Sequence, residues 1–233
     1  MEDYGKLVYL DVQKTGSTFI CAFLRECAKL GLHHSEQHAR VAAARPGTTY
    51  AISVRHPLEQ YVSLFRYGLD EKGAVFSRIK SSGRADLYHA DGFDDWMRFI
   101  LDAANSKVLG EGYADVAGLG IGFQTWRFLA LSLVNPSERL LQSGVESVND
   151  IYRQHNIASV YLRNESLNAD LRERLVSVHP DLFDLEKAEA MLSKGDRVNA
   201  STTQIARTKL PPDINEVFLR KEAFLLDQFY PNG

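Results

Sequence analysis

The sequence predicts an α/β fold: a three-layer domain with a central parallel sheet flanked by helices. Three observations point to it. Short apolar, β-branched runs recur at residues 6–12 (KLVYLDV), 50–54 (YAISV) and 158–162 (ASVYL), each the length of a buried strand. Each is followed by a turn and a stretch with helical apolar spacing. Strands that alternate with helices form parallel sheets covered on both faces.

The elements follow in order. After the first strand comes QKTGST, and residues 18–32 (TFICAFLRECAKLGL) then read as a helix whose end Gly31 marks. A His-rich loop (HHSEQHAR) leads to the second strand. RHP follows it, and Pro57 suits the first turn of a helix over residues 57–68. Residues 70–91 are polar and rich in Gly and Ser, and read as a long mobile excursion. Residues 93–103 and 123–133 read as amphipathic helices, and 145–155 as another. After the third strand, residues 165–178 read as a helix. Residues 193–209 are polar and irregular, and 212–229 form one C-terminal helix with charged and apolar faces.

Composition bounds the function. The 233 residues suffice for one good core or two small ones. The net charge of −3 lacks the basic excess of a nucleic-acid binder, though a small basic pocket needs only a few Lys and Arg. No apolar run approaches the roughly 20 residues that span a bilayer. The opening MEDYGKLVYLDV lacks the basic and apolar regions of a secretory leader. These features predict a cytoplasmic protein, and they fit a luminal catalytic domain equally. Cys21 and Cys27, on one helix, would stand about 9 Å apart, too far for a disulfide, so both are expected to be reduced.

Two strand-to-helix turns carry the chemistry. In LVYLDVQKTGST a strand ends, the chain turns at Gly16 and a helix begins. Backbone N–H groups and the helix dipole favour an anion there. Lys14 adds a cation, and Thr15, Ser17 and Thr18 add hydroxyl donors. The Lys precedes the Gly, so this is not G-x-x-x-x-G-K-[ST]; on its own the segment is equally a Ser/Thr-capped helix start. In YAISVRHPLEQYVSLFRY, Arg55 ends the next strand and Ser63 lies two helical turns on. Arg offers a planar fork to phosphate oxygens, and the plainer alternative is an Arg–Glu59 pair at a helix start.

As an ordered pair about 40 residues apart, K-T-G-S-T and R-H-P-x-E-x-x-x-S-x-F-R-Y resemble the sulfotransferases that use 3′-phosphoadenosine-5′-phosphosulfate (PAPS). The likeness is greatest to the carbohydrate enzymes related to the heparan sulfate 2-O and 6-O sulfotransferases and their compact bacterial relatives. The resemblance implies a P-loop nucleotide-binding type of fold, a single domain over residues 1–233 with an acceptor-side insertion around 70–120, and no required metal. It assigns Lys14, Thr15, Gly16, Ser17 and Thr18 to the 5′-phosphosulfate and Arg55 and Ser63 to the 3′-phosphate. Weaker echoes are VYLRNESLNADL, KEAFLLDQFYP and RVNASTT, the last placing Asn199 and Ser201 near the nucleotide. Gln60 stands where many relatives carry Arg, and Gln13 where Pro is common.

Sulfuryl transfer to a hydroxyl also needs a base, and an imidazole suits that task. His38, in QHAR, matches the family's pattern best and His34 is the runner-up. HSEQH spaces two His by four residues, but its Glu is misplaced for H-E-x-x-H, so no metal site is expected. The implied partner is a carbohydrate or small-molecule acceptor bearing a hydroxyl or amine. Arg78, Lys80 and Arg84 make residues 70–90 locally basic enough to steer an anionic acceptor. Trp96, Trp126, Tyr67, Tyr88 and Phe93 either stack on sugar or fill the core, and the core is the commoner fate. Two rival functions stand beside this one: an ATP-dependent P-loop kinase and a non-catalytic nucleotide-binding protein.

Overall fold

A computed structural model describes residues 1–142, 147–194 and 209–231. The chain is mixed α/β and divides into two compact units. The first holds residues 1–55, 128–136 and 152–194, and the second holds 56–127, 137–142, 147–151 and 209–231.

The elements, in chain order, are β1 (Glu2–Asp3), β2 (Leu7–Leu10), α1 (Ser17–Cys27), β3 (His34–Ser35), β4 (Thr49–Val54), α2 (Pro57–Leu69), α3 (Ala74–Ser81), α4 (Phe93–Leu101), α5 (Ser106–Leu109), α6 (Tyr113–Val116), α7 (Phe123–Ser132), α8 (Pro136–Gln142), α9 (Val148–His155), β5 (Val160–Arg163), α10 (Leu167–Asp170), α11 (Leu185–Ser193), α12 (Pro212–Lys221) and α13 (Ala223–Phe229).

The first unit is built on a five-stranded sheet of order β3-β1-β2-β4-β5. The three predicted strands are its parallel half: β2 pairs with β4 and β4 with β5, both parallel. The expectation of a wholly parallel sheet needs correction. The two-residue strands β1 and β3 add an antiparallel edge, with Glu2 opposite Tyr9 and Ser35 opposite Glu2. β2 is buried along its whole length, as a central strand covered on both faces must be.

Helix α1 shows why the sequence folds as it does. Ile20, Phe23, Leu24 and Cys27 are its buried residues, spaced i, i+3, i+4, i+7, which is one helix face. They pack with Tyr4, Leu7, Tyr9, Leu162, Leu171 and Phe183 in one core, and burying each such side chain contributes about 1.5–3 kcal/mol. The helix stops at Cys27, four residues before Gly31. Ala28 turns extended and bridges Phe183, while Lys29 N–H donates to the Leu182 carbonyl. Tertiary pairing ends the helix before its own glycine does. Both cysteines are free thiols; burial pushes Cys21 up to about 12 and Cys27 to about 11, so neither supplies thiolate at neutral pH.

After β5 the chain does not run as one helix. A 3₁₀ turn at Asn164–Ser166 leads into α10 and then a π-helical stretch, Leu171–Val176. Leu171, Leu175 and Val176 are its buried residues.

In the second unit, the excursion at 70–91 is partly helical. α3 buries Val75, Phe76 and Ile79, and a short 3₁₀ turn buries Leu87. Phe65, Tyr88, Phe93 and Trp96 stack or meet edge-on with ring centroids 5.3–6.3 Å apart, so Trp96 and Phe93 are core residues, as is the fully buried Trp126. Arg78, Lys80 and Arg84 pair with Glu111, Glu71 and Asp86 at 3.4, 3.7 and 3.3 Å. The basic character expected of this segment is therefore largely neutralised.

The predicted C-terminal helix is two helices that part at Glu222. Its carboxylate accepts from Tyr61 Oη at 2.5 Å, Thr125 Oγ1 at 2.7 Å, and the Thr125 and Gln124 N–H groups at 2.9 and 3.2 Å. Glu222 thus caps the start of α7 from a distant part of the chain. Gly122 makes room for it, since a Cβ there would lie 2.0 Å from Glu222 Oε1. No helix among the described residues is long and apolar enough to cross a membrane.

Candidate active site

The parallel strands β2, β4 and β5 end on the same side of the first unit, and their carboxyl ends carry Asp11 to Thr15, Arg55, and Arg163 with Asn164. Open α/β sheets bind ligands in this position.

The loop after β2 is held open from below. Thr15 is fully buried; its hydroxyl donates to the Val12 carbonyl at 2.7 Å and lies 2.5 Å from Ser53 Oγ, which lies 2.7 Å from Tyr9 Oη. Since the only proton on Thr15 Oγ1 goes to a carbonyl, Ser53 must donate to Thr15 and Tyr9 to Ser53. This chain of hydroxyls ties the loop to β2 and β4. The Thr15 hydroxyl is spent on scaffolding, which leaves its N–H as the group for a ligand.

Above this anchor the backbone is unusual. Lys14 has φ +64° and Gly16 φ +92°, both left-handed. Left-handed residues within a turn aim successive N–H groups into an anion-binding concavity. For Lys14 the conformation costs about 1–2 kcal/mol, and such strain gathers at functional sites. Gly16 is called for by its φ, and a Cβ there would lie 2.7 Å from Asn164 Nδ2 and 3.2 Å from Leu167 Cδ2, so the Asn164 amide would have to swing aside. Its carbonyl accepts from Phe19 and Ile20 N–H at 3.1 and 3.2 Å, starting α1. Ser17 is half-buried and Thr18 exposed in the first turn.

Arg55 reaches this loop: its Nη1 donates to the Lys14 carbonyl at 3.4 Å. The guanidinium, half-buried at the end of β4, therefore stands beside the turn. His38 is the third component. Its Nδ1 lies 2.7 Å from the Asp11 carbonyl oxygen, and its N–H donates to Asp11 Oδ1 at 2.9 Å. Its side chain is 35% exposed while that of Asp11 is 7% exposed, so the ring is anchored at one end and open to solvent at the other. His38 too has a left-handed backbone, φ +56°. Asp11 Oδ1 also accepts from the Met1 nitrogen at 2.6 Å.

Among the predicted residues, Arg55 contacts Lys14 in the turn, and His38 contacts Asp11, three residues before Lys14 in the same strand-end segment. His34 lies on β3, exposed, 3.5 Å from Glu36. Ser63 is half-buried on α2 in the second unit. Asn199 and Ser201 fall outside the described residues. Sequence reasoning missed Asp11 and Asn164. A polar residue at the end of an apolar strand was the available signal for each. A surface cleft of about 370 Å³ in the second unit is lined by Arg84, His89, Asp95, Arg98, Phe99 and Asp102 among others, and none of the predicted site residues lines it. Among the described residues no group of three or more His, Cys, Asp or Glu side chains is placed to hold a metal ion.

No protein-family model, no curated protein and no solved structure matches this chain.

Proposed function

We propose that this chain is a sulfotransferase that moves a sulfuryl group from PAPS to a hydroxyl or amine of a carbohydrate or small metabolite. One observation carries the reading most: at the strand ends an arginine from the neighbouring parallel strand contacts the left-handed Lys14–Gly16 turn, and a histidine is anchored on Asp11 just before that turn. The turn N–H groups, Lys14 and the Arg55 guanidinium beside them form a donor set that suits the anionic groups of a phosphosulfate nucleotide. Neither Lys14 nor Arg55 needs a metal to bind phosphate.

The nucleotide supplies an activated sulfuryl group on its 5′-phosphate and a second phosphate at the 3′ position. His38 Nε2 takes the acceptor's proton as the acceptor oxygen bonds to sulfur. The sulfur–oxygen bond to the 5′-phosphate breaks, and the electron pair stays on the phosphate oxygen. Lys14 and the loop N–H groups hold that growing charge, which is electrostatic preorganisation with positioning. Gln60, in the place of a common arginine, is buried and adds no charge.

The test is thermal stability with PAP, the 3′,5′-bisphosphate product, and separately with ATP, each with and without EDTA. At 100 times its Kd a ligand adds about 2.7 kcal/mol, which for a chain of this size raises Tm by roughly 5–10 °C. PAP stabilising in EDTA while ATP does not supports the reading, and an acceptor screen with PAPS follows. ATP with Mg²⁺ stabilising while PAP is silent overturns it for a kinase. Silence from both ligands overturns it for a protein whose fold has outlived nucleotide chemistry.

A further inference from the structure

Asp11 meets His38 in two ways that do different things. The Asp11 carbonyl oxygen, 2.7 Å from His38 Nδ1, can only accept, so Nδ1 carries the proton in the neutral ring and Nε2 is left bare. The Asp11 carboxylate accepts the His38 N–H at 2.9 Å, and its second oxygen lies 3.3 Å from Nδ1. The first contact sets the tautomer. The second pins the left-handed backbone at His38 and sets beside the ring a carboxylate that also pairs with the Met1 ammonium. Asp11 is 5% exposed, and its peptide is fixed by β2 and by the Val12 N–H to Leu10 carbonyl turn at 3.1 Å. The histidine is therefore oriented by a rigid element, as a functional side chain must be.

We propose that Asp11 is the positioning residue of the site: it holds His38 with Nδ1 protonated and Nε2 free to accept a proton, and its carboxylate stabilises the imidazolium that forms. This rests on the sulfotransferase reading for the reaction, but the tautomer does not. A merely structural Asp11 would tie residues 36–40 to the end of β2 and do nothing more, so the two roles separate by experiment.

Long-range ¹H–¹⁵N spectra of the full chain labelled at histidine read the tautomer directly, with His38→Ala to assign the ring. A protonated Nδ1 and bare Nε2 at His38 are expected. The reverse tautomer, or a rapid mixture of both, overturns the proposal whether or not the chain transfers sulfuryl groups. In turnover with PAPS, Asp11→Asn keeps the main-chain carbonyl and a side-chain oxygen that accepts the His38 N–H but loses the charge, and kcat is expected to fall about 10-fold. Asp11→Ala keeps only the main-chain carbonyl, losing both the charge and the side-chain acceptor, and falls about 100-fold, within the range that general-base catalysis contributes. PAP binding should change less than about 2-fold in both, which also shows that they fold. The decisive variant is Asp11→Asn in the His38→Ala background. A residue that acts through His38 costs nothing further once His38 is gone. A full additional loss there overturns the proposal in favour of a structural role. A chain with the expected tautomer and no sulfuryl transfer keeps the positioning claim and fails the functional reading, so the two failures are distinguishable.

Discussion

Gly16→Ala tests the site's architecture most sharply, because two separate penalties meet at one atom. The backbone at Gly16 has φ +92° and ψ 12°, where an L-residue costs about 1–2 kcal/mol. The new Cβ would lie 2.7 Å from Asn164 Nδ2, and forcing one extra methyl into such a contact costs about 1–3 kcal/mol. The single substitution should destabilise the first unit by about 2–5 kcal/mol. Asn164→Ala removes the colliding amide but leaves the backbone cost. The double variant should therefore be more stable than the two single losses predict, with a coupling of about 1–2 kcal/mol. Both tryptophans, Trp96 and Trp126, lie in the second unit, so their fluorescence does not report directly on the turn. Urea unfolding followed by far-UV circular dichroism, with hydrogen exchange over β2 and α1, reads the correct unit. PAP affinity should fall with Gly16→Ala, since the loop N–H groups move with the turn. Stability within about 0.5 kcal/mol of the parent, or strict additivity with Asn164→Ala, would refute the close approach and with it the reason for glycine in this turn.

Two further outcomes follow from the same geometry. Lys14→Ala should lower kcat/KM for transfer from PAPS by about 10²–10³, the usual loss on removing one preorganised donor to developing charge; a loss under 3-fold removes Lys14 from the mechanism. Burial holds the Glu222 carboxyl above its ordinary range despite four donors. A raised folded-state value means that the native state binds the proton more tightly than the unfolded chain. The stabilising contribution is therefore complete below about 4.5 and is lost as pH rises through the folded value. Tryptophan fluorescence of the second unit in urea should show stability declining over that rise, and Glu222→Gln should abolish the slope. Glu222→Gln should also cost about 1–3 kcal/mol, because an amide N–H₂ would face a donor that the carboxylate now accepts. A persistent slope in Glu222→Gln assigns it to another group.

The parallel half of the sheet was legible because β2, β4 and β5 are apolar runs whose local preference agrees with their burial. The same holds for α1 and α2, where Ile20, Phe23, Leu24 and Cys27, and Tyr61, Leu64, Phe65 and Gly68, fall on one face. At two places tertiary contacts outvoted local pattern. Helix α1 ends at Cys27 because Ala28 pairs with Phe183, not because of the glycine downstream. The C-terminal helix breaks at Glu222 because that carboxylate serves the start of α7, roughly 100 residues away in sequence. α3 was hidden by polar neighbours, although Val75, Phe76 and Ile79 carry the i, i+1, i+4 spacing of a short buried face.

The candidate site divides along the same line. Lys14, Gly16 and Arg55 lie on turns that directly follow strands, so a strand-to-helix pattern suffices to find them. His38 does not. Its place depends on β1 and β3, two strands of two residues each, ED and HS, which carry no periodic signal at all. Their pairing sets Asp3 against His34 and Glu2 against Ser35, and the Glu36 N–H then donates to the Met1 carbonyl at 3.0 Å. Only after that does the chain turn at residues 36–39 and deliver His38 to Asp11, 27 residues away in sequence. The same pairing leaves His34 exposed on the edge strand. The antiparallel edge that sequence reasoning did not foresee is thus what separates the two histidines it could only rank. It also explains why Asp11, unremarkable as a polar residue closing a strand, becomes the group around which the ring is set.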